Sequence, residues 1–259
     1  MKSIVMIIYG FALWQATAAQ ADSCRAESGP GTAALVELYT SEGCSSCPPA
    51  DRALSQLRSQ VGRDVVIIPL ALHVTYWDQI GWKDGFAHKD SDARQKLLAG
   101  HGKTRVIYTP QFFVNGRELR DWSKQFSSAI RKTNQHPAEA GITLEWTQAP
   151  GNTVQFEAVA KGRNPRARQA LFLAVSESKL ISKVAAGENR GATLVHDDTV
   201  RAWFAPIILT DGSARLHQAI RIPSGWKQEN LRAVAFVQNL EDGIVLQAVT
   251  IGQCDHSKS

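Results

Sequence analysis

The 259-residue chain is 44% apolar and 20% charged, with a formal net charge of +5, a balance that fits a folded globular protein and excludes a disordered, collagenous or membrane-embedded one. Its Lys and Arg residues are spread along the whole length without a run. That argues against a nucleic-acid partner and leaves the mild basicity as a solubility property.

The chain opens with Lys2, the apolar stretch Ile4 to Trp14, and small residues ending in Ala19-Gln20-Ala21. This is the order of a secretory signal peptide, assigned to residues 1–21 with cleavage before Asp22. The apolar stretch falls short of the ~20 residues of a membrane span, and no later segment comes closer, so the mature chain carries no integral membrane segment. An uncleaved anchor is the competing reading. Export places the protein in the periplasm or the medium, and roughly 240 residues remain, enough for two domains with their own cores.

Four cysteines, Cys24, Cys44, Cys47 and Cys254, allow three connectivities. The natural division is a local pair, Cys44 with Cys47, and a pair that ties the termini, Cys24 with Cys254, standing as a disulfide in an oxidising compartment. A free or intermolecular Cys24 thiol is the alternative. A structural zinc is not expected, because no second cysteine pair or nearby His completes four ligands.

Ala33 to Thr40 reads as a strand, and Ala50 to Val61 as a helix with Leu54, Leu57 and Val61 on one face. Asp64 to His73 is a near-continuous apolar run, expected of a strand buried on both faces of a parallel sheet. Asp90 or Ser91 caps a helix through Ala99 that Gly100 stops. Gln111 to Val114 and Arg117 to Leu119 flank Asn115-Gly116, a strong hairpin signal, and a helix follows from Asp121 to Lys132. The order is strand, helix, strand, helix, hairpin, helix. Beyond a junction near residues 134–141, about seven short strands separated by turn residues argue for an antiparallel sandwich. They are Ile142 to Thr147, Val154 to Ala160, Ala170 to Ser176, Val200 to Leu209, Leu216 to Ile222, Arg232 to Asn239 and Ile244 to Ile251.

With Cys44-Ser45-Ser46-Cys47 behind the first strand and Thr109-Pro110 before the hairpin, the first half resembles the thioredoxin fold. More narrowly, LVELYTSEGCSSCPPAD (35–51), HVTYWDQIGWKDGFA (73–87) and YTPQFFVNG (108–116) resemble a little-characterised domain-of-unknown-function family of exported, thioredoxin-like bacterial proteins. The resemblance implies an α/β thioredoxin-like domain (βαβαββα, residues 22–136) followed by an all-β antiparallel sandwich domain (137–259), and a redox activity.

By that resemblance Cys44 is the exposed, attacking thiol and Cys47 resolves the mixed disulfide. Thr109-Pro110 is cis and packs against Cys44, with the Thr109 backbone offered to an incoming chain; a trans proline at the start of an edge strand is the plain alternative. Glu37 sits where thioredoxins carry a buried carboxylate. It takes the Cys47 proton if its strand turns it inward, and is a solvated glutamate otherwise. Pro48-Pro49 departs from the pattern, because consecutive prolines delay the regular helix and weaken its dipole at Cys44.

His73 ends the second strand, and Tyr76, Trp77, Trp82 and Phe86 follow it. Tyr76 and Trp77 are candidates for the apolar wall of a substrate cleft, or they bury their own loop. Glu188, His196 and Asp197 lie in a polar stretch whose composition fits turns better than a cation site. The expected function is an exported thiol-disulfide oxidoreductase acting on protein or small-molecule thiols and disulfides without a cofactor. The alternative is a binding or assembly module with an inert disulfide.

Overall fold

The computed structural model describes residues 23–102 and 105–254; the expected leader lies outside them. The first half runs β1 (Ser23–Glu27), β2 (Ala34–Thr40), α1 (Pro48–Val61), β3 (Ile67–His73), α2 (Lys89–His101), β4 (Gln111–Val114), β5 (Arg117–Glu118) and α3 (Trp122–Asn134). The second half is all strand: β6 (Ala140–Ala149), β7 (Thr153–Gly162), β8 (Gln169–Glu177), β9 (Leu180–Lys183), β10 (Thr193–His196), β11 (Thr199–Trp203), β12 (Ile207–Ile208), β13 (Ser213–Arg221), β14 (Leu231–Asn239) and β15 (Val245–Gly252).

β2 runs parallel to β3, from Ala34 opposite Ile67 to Thr40 opposite His73, and antiparallel to β4, which turns through Asn115-Gly116 into β5. Every residue of β2 and β3 is buried, because both faces are covered. On one face Val36, Leu38 and Ala71 pack against Leu54 and Leu57 of α1 and Ile130 of α3. On the other, Leu35, Tyr39, Leu70 and Leu72 meet Leu98 of α2 and Phe172 and Phe236 of the second half. Alternation along β2 therefore decides which helix each side chain sees.

The hairpin turn also joins the halves. Asn115 Oδ1 accepts from the Leu35 N–H, and its Nδ2 donates to the carbonyls of Ala33 and Val245. Gly116, at φ +79°, would place a Cβ 1.9 Å from the Gly243 carbonyl oxygen, so no other residue fits there.

Residues 22–136 and 137–259 do not separate into self-contained sheets. A nine-stranded sheet runs β15-β14-β8-β11-β3-β2-β4-β5, with β12 pairing β8, and β11 of the second half lies parallel to β3 of the first. Conversely, β1 joins β6, β7 and β13 in a four-stranded sheet. That sheet packs face to face on the β8, β14 and β15 end of the larger one through Trp146, Phe156, Leu171, Leu173, Ala235 and Val237. Antiparallel pairing with β9 completes a separate two-stranded ribbon, β9-β10. The expected single strand from Val200 to Leu209 divides into β11 and β12 around Ala205-Pro206, where a proline removes a ladder donor. No helix among the described residues is long and apolar enough to cross a membrane.

Candidate redox site

Strand β2 ends at Thr40, and residues 41–47 turn the chain into α1. The turn is closed by backbone bonds from Cys44 N to Ser41 O and from Cys47 N to Cys44 O. Cys47 is the N-cap of α1, with Pro48 and Pro49 in the first two helical positions. A missing N–H costs nothing there, since the first turn has no intrahelical acceptors to offer, and the fixed proline φ suits a helix start. The helix therefore begins at Pro48, directly behind the second cysteine. Cys44 and Cys47 are disulfide-bonded with Cα atoms 5.4 Å apart.

Both cysteines have 0% exposure. The expectation of a solvent-open Cys44 is thus corrected, and the second half of the chain bonds to the loop that carries it. The segment between β9 and β10, residues 184–192, lies across the cysteine loop as a strap. The Glu188 carboxylate accepts a hydrogen bond from Ser45 N at 3.0 Å, and Asn189 Nδ2 donates to the carbonyls of Glu42 (2.8 Å) and Cys44 (3.0 Å). The loop also packs on Trp77, whose Cβ lies 3.5 Å from the position a Gly43 side chain would take.

Beneath the loop is a buried set of acids and imidazoles. His73 Nδ1 donates to Asp84 Oδ2 at 2.7 Å, and the same oxygen accepts from Glu42 N. His196 Nε2 donates to Glu42 Oε1 at 3.1 Å, and Trp82 Nε1 donates to Glu42 Oε2 at 2.8 Å. The two imidazole rings meet edge to face with centroids 4.9 Å apart, and Phe86 closes the third side.

Burial works to lower the His73 pKa, but Asp84 and the neighbouring carboxylates outweigh it and raise it. Burial likewise works to raise Asp84 and Glu42, and their partners His73 and His196 hold both below the usual carboxylate range. Asp51, one turn into α1, behaves oppositely: burial raises it, with His73 and His196 opposing only in part.

Glu37 does not serve Cys47. Strand alternation places it with Leu35 and Tyr39, on the face opposite α1. There both its oxygens bind Arg94 of α2, Oε1 to Nε at 2.9 Å and Oε2 to Nη2 at 3.0 Å, and the Tyr39 hydroxyl donates to Oε1. The Arg94 guanidinium lies over Phe172, Trp203 and Phe236 and also binds Gln238. Glu37 is therefore half of a buried ion pair that fastens α2 to both halves.

The Thr109-Pro110 bond is cis. The Tyr76 hydroxyl donates to Gln95 Oε1, whose amide in turn donates to the Tyr108 carbonyl, so Tyr76 fastens its loop to α2 beside Thr109. Burial pushes the Tyr76 hydroxyl up to about 12. Of the two proposed wall residues, Trp77 lies against the cysteine loop. At the other end of the molecule Cys24 and Cys254 are disulfide-bonded, Cα atoms 5.5 Å apart, tying β1 to the chain beyond β15.

Glu188, His196 and Asp197 do not converge: they bind Ser45 N, Glu42 and Lys179 N in turn. Among the described residues no group of three or more His, Cys, Asp or Glu side chains is placed to hold a metal ion. The sequence offered little warning of Asn189, Glu42, Asp51 and Asp84. Each is a common capping or surface residue type, and the short ribbon that carries Asn189 shows only four residues of alternation on each side of a glycine-bounded turn.

Two solved structures share the fold. HBP35 of Porphyromonas gingivalis superposes with a TM-score of 0.69 at 15% identity, covering 90% of this chain and 79% of that one. A structural-genomics protein from Agrobacterium tumefaciens superposes at 0.55 with 20% identity, covering 88% and 98%. No curated protein matches the sequence. The model of a family described as proteins of unknown function, DUF1223, matches residues 35–238. The chain, from β2 to the end of β14, belongs to the DUF1223 family.

Proposed function

We propose that the protein is an exported thiol-disulfide oxidoreductase that exchanges disulfides with protein or small-molecule thiols through Cys44 and Cys47. The carrying observation is the placement of the bonded pair at the junction of a parallel strand with a helix N-terminus, where the helix favours a thiolate. The order β2-α1-β3-α2-β4-β5-α3, with sheet order β3-β2-β4-β5, supports reading the first half as thioredoxin-like and the remainder as a β-sandwich grafted onto its edge. Two disulfides support an oxidising compartment, periplasmic or extracellular.

In the reduced form, the Cys44 thiolate attacks a substrate disulfide and expels one substrate thiolate. The Cys47 thiolate then attacks Cys44 Sγ, re-forming the internal disulfide and expelling the second. Two electrons pass from the cysteine pair to the substrate. Because the bonded sulfurs are covered, the strap must lift before either half-reaction.

The test is to equilibrate the protein with dithiothreitol and to incubate Cys47→Ser with disulfide substrates. A potential above about −300 mV and a mixed disulfide trapped through Cys44 are expected. The complete burial of both sulfurs favours a second reading, a binding or assembly module with an inert disulfide. A potential well below that limit, with no trapped adduct, would establish it.

A further inference from the structure

Cys47 has 0% exposure in the closed, disulfide-bonded protein, so a side chain packed beside it is better placed than bulk water to take its thiol proton, and the carboxylates near the loop can be compared. Glu37 is on the far face of β2 with both oxygens on Arg94. Glu42 has one oxygen on His196 and the other on Trp82. Asp84 binds His73 and Glu42 N through Oδ2 and Phe86 N through Oδ1. Asp51 alone of these four has a carboxylate oxygen, Oδ1, that is buried and without a hydrogen-bond partner.

Asp51 lies four residues after Cys47 and so on the same side of α1, one turn along; its backbone N–H donates to the Cys47 carbonyl at 3.1 Å. Buried polar atoms without partners are rare and call for an explanation. Three of the groups that act on the Asp51 carboxyl also carry such an atom, Thr40 Oγ1, His73 Nε2 and His196 Nδ1, with the Thr40 hydroxyl placed to donate toward the carboxyl. Thr40 and His73 are directly opposite on β2 and β3, on the face that α1 covers.

We propose that Asp51 is the group that holds the Cys47 proton during exchange. The inference rests on the exchange reading above. In the mixed disulfide, the Cys47 S–H gives its proton to the Asp51 carboxylate and the thiolate attacks Cys44 Sγ. The Cys44–Cys47 bond forms, the bond to the substrate sulfur breaks, and the substrate leaves as a thiolate that takes a proton from solvent. Thr40 from β2, His73 from β3, His196 from β10 and Asp84 from the loop before α2 are the groups that act on the Asp51 carboxyl. Burial keeps that carboxyl more basic than usual, which narrows its gap to a thiol.

The experiment uses the full chain reduced with dithiothreitol and loaded at Cys44 with thionitrobenzoate, whose release reports attack by Cys47. Asp51→Asn is expected to slow release about a hundredfold near pH 7. The deficit should shrink in alkali, where hydroxide removes the thiol proton, and Asp51→Glu should restore part of the rate. Equal release by wild type and Asp51→Asn at every pH would overturn the role of Asp51 while leaving exchange intact. Should dithiothreitol leave the native pair oxidised, the exchange reading falls and this role falls with it.

Discussion

The carboxylate of Glu188 accepts a hydrogen bond from the backbone N–H of Ser45, 3.0 Å away and 143 positions earlier in the chain. With Asn189 on the carbonyls of Glu42 and Cys44, it makes the second half of the protein the cover of a disulfide that belongs to the first. Ser45 in turn lowers the Glu188 pKa. The contact is therefore present while Glu188 is ionised and is lost as pH falls through its lowered value.

Removing the cover should speed attack on the disulfide. Asn189→Ala deletes two hydrogen bonds of roughly 1 kcal/mol each, so reduction of the native pair by dithiothreitol is expected to accelerate by up to about thirtyfold. Glu188→Gln should act in the same direction with a smaller effect, and acidification should mimic it. Unchanged reduction rates in Asn189→Ala would show that the strap does not limit access.

Glu37 and Arg94 behave as a buried pair, and each is costly to leave alone. Glu37→Gln should destabilise the fold by about 3–5 kcal/mol, because it leaves the guanidinium without its counter-charge. Replacing both by apolar residues of similar volume should cost much less. Denaturant midpoints measure this. The pH profile of disulfide exchange should be the same in Glu37→Gln as in the wild type, in contrast with Asp51→Asn.

Asp198 is pushed up to about 6 by burial, with Arg58 and Arg232 opposing in part. A carboxyl raised in the folded state favours folding below its unfolded pKa near 3.8, and that advantage is lost as pH rises through about 6. Asp198→Asn should therefore stabilise the protein near pH 7 to 8, by on the order of 2 kcal/mol. The two proteins should converge near pH 4. Asparagine also tolerates the φ of +51° at this position. A variant less stable than wild type at pH 8 would contradict the assignment.

Cys24 and Cys254 close a loop with a sequence separation of 230. Chain-entropy reasoning gives at most about 5 kcal/mol for such a link. The Cys24→Ser, Cys254→Ser double variant should lose up to this amount in chemical denaturation. β1 is expected to exchange its amide hydrogens faster, since it is the edge strand of its sheet and pairs with β6 on one side only.

The elements of the first half were legible because their signals are local. The buried run of β3, the leucine spacing of α1 and Asn115-Gly116 each report on a few neighbouring residues. The cysteine pair was legible for the same reason. What the sequence withheld depends on register and on distant partners. One residue of parity along β2 sends Glu37 to Arg94 instead of to Cys47. Asp51 reads as an ordinary first-turn acid until α1 is laid against Thr40 and His73. The cover over Cys44 arises from residues more than 140 positions away, and no motif near the cysteines announces it.

The parallel contact of β11 with β3 is short, Thr199 opposite Ala71 with a backbone bond from Ala71 N to Asp198 O. Until β11 docks, the outer rim of β3 is unpaired, and the strand that covers it lies some 130 residues further along the chain. Such a rim invites pairing with other nascent chains, and the halves of this protein are better regarded as partners in one folding event than as beads on a string.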